Sequence, residues 1–261
     1  MPPSRNTSGK GCPSRHRCRS ARIGWHPSSR HVLVHCIDRD IKALAALGKT
    51  GFLKIMAVSH TGITTDDFLK FVADWITTTH HPRFNRLYTE LVYQPMIELL
   101  SFLRANGFQD LHRLRWRRGV HRVFTARVVG SSGVVRYQIR SGKPVLIKDG
   151  KIEFVDGGPG KPVGINRFIG RRPVFAFGNS DGDQEMLEWT AAGTRARFMG
   201  LVHHTDAARE WSYHRKSHVG RLEKAWDEAV RHGWTVTNMK TEWKRCLRSS
   251  REGVSQRGAG L

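Results

Sequence analysis

Three oxygen-bearing side chains follow a short apolar run in the second half of this 261-residue chain. They are Asn179, Asp181 and Asp183, at alternate positions of the segment Phe175-Ala-Phe-Gly-Asn-Ser-Asp-Gly-Asp183. Carboxylate and amide oxygens are the ligands that Mg²⁺ prefers, and ligands of open α/β sheets bind where loops leave the carboxyl ends of parallel strands. The segment therefore predicts a magnesium site and metal-assisted phosphoryl chemistry.

The elements around this loop alternate between strands and helices. We predict strands at 173–177 and 199–203, and helices that begin near Lys161 and that run over 183–192 and 222–232. Such alternation is typical of an α/β fold with a parallel sheet and helices on both faces.

The first half of the chain is mainly helical. The stretch 40–93 predicts helices, one of which opens with a capping box formed by Thr64 and Asp67. A helix begins at Pro95 and stops at Asn106-Gly107, and a β-hairpin over 134–155 turns at Ser141-Gly142.

Several segments together resemble the haloacid dehalogenase superfamily of phosphohydrolases, in its phosphoserine-phosphatase-like branch with a helical cap. The segments are Gly178–Asp183 with Lys161 upstream, Tyr88–Pro95, Gly160–Ile165 and Leu201–Asp206. The resemblance covers about 39–108 and 127–246. It implies a three-layer α/β/α core with a parallel sheet and a helical cap insertion, and hydrolysis of a small phosphorylated molecule.

The resemblance also implies roles for individual residues. Lys161 balances charge on the transferred phosphoryl group, and Ser180 contacts the substrate. Asp183, with Asp181 and Asn179 beside it, holds Mg²⁺ as the cofactor. Many relatives have an aspartate where Asn179 stands, so the identity of the oxygen that contacts the metal directly stays open.

The attacking aspartate of that family lies in an Asp-x-Asp-Gly-Thr motif, and this motif does not occur in the chain. Asp38-Arg39-Asp40 follows an apolar run, but the helix-forming Ile41-Lys-Ala-Leu44 stands where Gly-Thr would turn the chain. We therefore do not assign Asp38 as the nucleophile. We expect little or no phosphatase activity, and the alternative is a catalytically inactive member of the family that acts by binding.

The family pattern is interrupted at 109–126, where a second apolar strand is expected. That stretch is rich in arginine, and a buried unpaired arginine is costly. We hypothesise that 109–126 and 1–37 are translated out of frame, which an uninterrupted reading frame in the gene would contradict. The predicted division is a basic segment at 1–38, a cap at 39–93, a core at 94–246 and a basic tail at 247–261.

The net charge of +22 is concentrated in three segments. Sixteen of the 22 charges lie within 1–37, 109–127 and 240–261. Nucleic-acid binding is the rival interpretation, because arginines interleaved with Trp116 and His112 can clamp phosphates and stack on bases. It is the weaker interpretation, since these segments match no recognisable nucleic-acid-binding fold.

Cellular location is predicted from cysteines and hydropathy. The four cysteines are scattered, as expected for reduced thiols in a cytoplasm. The chain has no run of 18 apolar residues and no apolar segment typical of a secretory signal. These features predict a cytoplasmic protein without a membrane span.

Overall fold

The structure, a computed structural model, describes residues 60–110, 112–114, 128–217 and 219–248, together with residues 51, 55, 57 and 58. The predictions on Asp38, on most of the three basic segments and on their reading frame lie outside the described residues.

The described chain contains helices and strands in mixed order. The helices are α1 (Thr65–Thr78), α2 (Gln94–Ala105), α3 (Gly160–Ile169), α4 (Gln184–Ala191), α5 (Lys224–His232) and α6 (Met239–Glu242). Short 3₁₀ turns occupy Tyr88–Glu90 and Asp181–Asp183. The strands are β1 (His112–Leu114), β2 (Val128–Gly130), β3 (Ser132–Arg140), β4 (Lys143–Phe154), β5 (Phe175–Gly178), β6 (Phe198–His203) and β7 (Thr235–Asn238).

A parallel sheet carries the acidic loop. Its strands lie in the order β5–β6–β7, with Phe177 opposite Gly200 and Val202 opposite Thr237. Gly200 is needed there, because a β-carbon at this position would come 2.4 Å from the Phe177 ring. The predicted mixed α/β architecture with parallel strands is confirmed.

Helices cover both faces of this sheet. Consecutive strand residues point to opposite faces, and Ala176 and Leu201 accordingly join a buried cluster with residues of α3, α4 and α5. Their neighbours Phe177 and Val202 pack in a second cluster with Met239 and with residues near the start of α2. Burial of apolar area on both faces holds the sheet and its loops in place.

The predicted hairpin is present, and of the predicted capping box the structure shows the bond to the Thr64 side chain. Strands β3 and β4 pair antiparallel and turn at Ser141 and Gly142, whose φ angles are 49° and 75°. The Thr64 hydroxyl accepts a hydrogen bond from the Asp67 amide at 2.9 Å and so caps α1. Thr64 also pairs with Ile147 of the hairpin, so the segment predicted as a cap contacts β4.

The arginine-rich interruption contains a strand that the sequence did not predict. His112–Leu114 pairs in parallel with Val128–Gly130. The pair β1–β2 forms a two-stranded sheet separate from the β5–β6–β7 sheet, so His112–Leu114 is not the buried strand that the family pattern expects at 109–126. Just before it, buried Asp110 accepts two hydrogen bonds from Arg104 at 2.6 and 2.8 Å.

The end of the described chain packs against the start of α2. Leu247 pairs with Tyr93, and the Arg248 amide donates to the Val92 carbonyl at 3.0 Å. The predicted boundary between core and tail at 246–247 therefore falls inside a packed stretch. None of the described helices combines the length and apolar composition that a membrane span requires.

Candidate functional site

The acidic loop leaves the carboxyl end of β5 and folds back on the strand. Ser180 and Asp183 cap the 3₁₀ turn that leads into α4. A β-carbon on Gly178 would lie 2.4 Å from the Asp183 β-carbon, a distance that real atoms do not tolerate. The glycine therefore lets Asp183 lie directly over the end of the strand.

A buried ion pair joins this loop to α3. Lys161 lies in the first turn of α3, and its Nζ is 2.7 Å from Asp183 Oδ1. Both side chains are 8% exposed. Charges that are this well buried are tolerated only when they are paired and hydrogen-bonded. The structure thus brings together two residues that the sequence analysis selected separately.

The second oxygen of Asp183 organises the loop itself. Asp183 Oδ2 accepts hydrogen bonds from the Asn179 amide at 3.0 Å, the Ser180 amide at 3.1 Å and the Ser180 hydroxyl at 3.2 Å. Ser180, predicted as a substrate contact, is therefore a partner of Asp183 in the described chain. These bonds hold the carboxylate in one orientation towards Lys161.

Asp181 points its carboxylate at a different element. Its Oδ1 accepts hydrogen bonds from the amides of Glu223 at 2.8 Å and Ala225 at 3.1 Å, at the start of α5. The first amides of a helix have no partners within the helix and need such an acceptor. The Asp181 amide in turn donates to the Arg221 carbonyl at 2.8 Å. Asp181 thus ties the loop to α5, and its role as a metal ligand stays a prediction.

Asn179 contacts a residue that the sequence analysis did not select. Its Nδ2 donates to the Tyr213 hydroxyl at 3.0 Å. Tyr213 also lines an open surface depression formed by residues 212–217. Burial raises the pKa of Tyr213 to about 12, so its hydroxyl stays protonated at neutral pH.

A buried polar network lies behind Tyr213. The Tyr213 ring stacks on His204 at 4.2 Å between centroids. His204 Nδ1 lies 2.9 Å from Glu210 Oε2, and the Tyr93 hydroxyl donates to Glu210 Oε1, also at 2.9 Å. His204 and Glu210 are 1% and 6% exposed. This network follows β6, at the same edge of the sheet as the acidic loop.

The network sets the protonation of its acid. Burial acts to raise the pKa of the Glu210 carboxyl, but hydrogen bonds from His204, the Trp211 amide and Tyr93 outweigh it and hold the pKa below its ordinary value. Burial, and then the charge of Glu210, raises the pKa of Tyr93. Glu210 is therefore a carboxylate at neutral pH and accepts hydrogen bonds from His204 and Tyr93.

Two histidines beside this network, His203 and His214, have pKa values below the ordinary value. Burial, followed by the nearby His214 and His204, lowers the pKa of His203. Burial and then Arg215 lower the pKa of His214. The rings of His203 and His214 lie 4.6 Å apart, and both contact Trp226.

Magnesium binding by the loop stays a prediction. Mg²⁺ is commonly held by one or two carboxylates, with water and substrate phosphate filling the other positions. The loop's buried carboxylate is Asp183, whose Oδ1 is paired with Lys161 and whose Oδ2 accepts three hydrogen bonds. The bond donated by Asn179 Nδ2 leaves the side-chain oxygen of Asn179 as an acceptor. Within the described ranges, no three His, Cys, Asp or Glu side chains converge as a larger metal-binding group.

Sequence reasoning selected the loop and Lys161 but missed the network. Tyr93 and Glu210 are far apart in the chain, and no spacing rule connects them. The local signal was the polar run His203-His-Thr-Asp206 directly after an apolar strand. Asp206 accepts hydrogen bonds from the amides of Ala208 and Arg209, so it caps a turn there.

The resemblance to a family stays a prediction after comparison with known proteins. A search of protein-family models finds no match to the chain. A search of curated proteins finds no significant match either.

Proposed function

We propose that this chain is a phosphate-ester hydrolase of the haloacid dehalogenase type, built on an α/β/α core with a helical cap, and that its turnover is low. The observation that carries the proposal is the Lys161–Asp183 pair at the carboxyl end of β5. The two residues correspond to the positions that hold phosphate charge and metal in that family. The contact between Lys161 and Asp183 supports the proposal that this site is related to the phosphate site of that family.

Each residue has a distinct role in the proposed site. The Lys161 ammonium would offset charge on a phosphoryl oxygen, an interaction whose strength rises where water is excluded. Asp183 and Asn179 would hold Mg²⁺, and Mg²⁺ bound there would offset the remaining phosphate charge. The hydrogen bonds from Ser180 and from the loop amides keep Asp183 oriented before any ligand arrives.

Ligand binding without hydrolysis is the second candidate. The observation in its favour is that the chain lacks the Asp-x-Asp-Gly-Thr motif that provides the attacking carboxylate in that family. Without a nucleophile, Lys161 and the metal loop could still bind a phosphorylated molecule.

An aryl phosphate assay with Mg²⁺ separates the two candidates. We expect slow hydrolysis that is lost in both Asp183→Ala and Lys161→Met, because each change removes one charge of the site. Asp149→Ala, a carboxylate on the hairpin that pairs with exposed Arg136, is the matched control and should leave the rate unchanged.

Calorimetry with inorganic phosphate covers the case in which no product forms. Mg²⁺-dependent phosphate binding that disappears in Asp183→Ala would favour the binding protein. Fast turnover abolished by Asp183→Ala would show that the chain has a nucleophile although it lacks the Asp-x-Asp-Gly-Thr motif. The absence of both hydrolysis and phosphate binding would contradict the proposed function.

A further inference from the structure

We propose that Tyr213 is a positioning residue for Asn179, which it orients so that the amide oxygen is presented to the cation. This inference rests on the proposed magnesium site. It adds a residue that lies outside every motif of the loop.

The contact between the two side chains is direct and constrained. Asn179 Nδ2 donates to the Tyr213 hydroxyl at 3.0 Å. The Tyr213 amide donates to the His204 carbonyl at 3.0 Å, which ties its backbone to the end of β6. Gly220 closes the other side, since a β-carbon there would come 2.5 Å from the Tyr213 ring. The hydroxyl is therefore held in place from both the ring and the backbone.

The ring's support is itself fixed by buried groups. His204 stacks on Tyr213 with an interplanar angle of 18°. Glu210 accepts hydrogen bonds on both of its oxygens, from His204 and from Tyr93. The buried Glu210 carboxylate thus fixes the positions of the His204 ring and the Tyr93 hydroxyl, because hydrogen bonds are stronger where the local dielectric is low. The series from Tyr93 to Tyr213 thus forms a stable base for the loop.

Orientation matters because position 179 is an asparagine. An amide has one oxygen, which can ligate a cation, and one NH₂ group, which cannot. A half-turn of the amide would replace a ligand by a donor. An aspartate has two equivalent oxygens and would not need this support.

Magnesium calorimetry on the intact chain tests the positioning role. Tyr213→Phe keeps the stacked ring and removes only the hydroxyl, and we expect it to weaken Mg²⁺ binding about tenfold, the usual effect of losing a residue that orients a metal ligand. The side-chain amide resonances of Asn179 should shift in the same variant. Tyr137→Phe is the matched control, since Tyr137 is 66% exposed on the hairpin, and it should change neither quantity.

The same substitution in an Asn179→Asp background separates orientation from general damage. There the loss caused by Tyr213→Phe should disappear, because either carboxylate oxygen can face the cation. An equal loss in both backgrounds would overturn the positioning role. Unchanged affinity and unchanged amide resonances in the single variant would overturn it as well.

Asp183→Ala distinguishes failure of this inference from failure of the site. Wild-type binding that is lost in Asp183→Ala but unaffected by Tyr213→Phe would overturn the role of Tyr213 alone. Wild-type protein that binds Mg²⁺ no better than Asp183→Ala would overturn the magnesium site and, with it, the positioning of Asn179.

Discussion

Replacing Asp183 by alanine is expected to lower the free energy of unfolding by about 3–5 kcal/mol, the usual cost of leaving one charge of a buried ion pair without its partner. The change leaves the Lys161 ammonium without its partner in a site where the lysine side chain is 8% exposed and lies 2.7 Å from the lost oxygen. It also removes the acceptor of three hydrogen bonds within the loop. Urea unfolding at neutral pH measures the loss.

A double-mutant cycle isolates the ion pair from the rest of this loss. Lys161→Met removes the other charge and keeps most of the side-chain volume, so the two changes together should cost about 2 kcal/mol less than the sum of the single changes. Strictly additive losses would contradict the ion pair. Asp227→Ala, which breaks an exposed pair with Arg215, is the control and should change stability little.

Local patterns predicted much of the fold because their causes are local. The capping of α1 by Thr64 depends on residues three positions apart, and the turn at Ser141-Gly142 depends on two residues that accept positive φ angles. The alternation of apolar and polar stretches likewise predicted the parallel strands β5 and β6. In each case the decisive interaction lies within a few positions along the chain.

Local patterns predicted the acidic loop and Lys161 but not the other contacts of the site, because those contacts depend on tertiary structure. Asp181 stands between two other oxygen-bearing residues, yet its carboxylate caps a helix that begins more than forty positions later. Tyr93 and Glu210 meet only because α2 and the segment after β6 pack together. Composition and spacing contain no information on these encounters.

The three oxygen-bearing residues of the loop therefore contact different neighbours. Asp183 joins the loop to α3 through Lys161, and Asp181 joins it to α5. Asn179 joins it to the network behind Tyr213. A loop anchored on three sides needs no ligand to stay formed, and such preorganisation favours binding because less conformational freedom is lost.

Replacing Glu210 by alanine should destabilise the protein by about 3 kcal/mol, since each buried donor left without an acceptor costs about 1–3 kcal/mol. The Tyr93 hydroxyl and His204 Nδ1 both lose their partner, and both groups lie in the packed region behind the acidic loop. Glu98→Ala is the matched control, because Glu98 is an exposed residue of α2 that is hydrogen-bonded only to Gln94 among the described residues. A loss no greater than that of the control would contradict the network.

The same carboxylate should make stability depend on pH in the acid range. Hydrogen bonds hold the pKa of Glu210 in the folded protein below its ordinary value of 4.5. The unfolded chain therefore binds the proton more readily, so the contribution of Glu210 is complete above about pH 5 and is lost as the pH falls through the folded pKa. Urea unfolding measures the free energy of unfolding of the wild type and of Glu210→Gln. The difference between the two should shrink as the pH falls below 5. A difference that stays constant down to about pH 3 would contradict the hydrogen bonds to Glu210, because a pKa lowered in the folded protein makes this difference depend on pH.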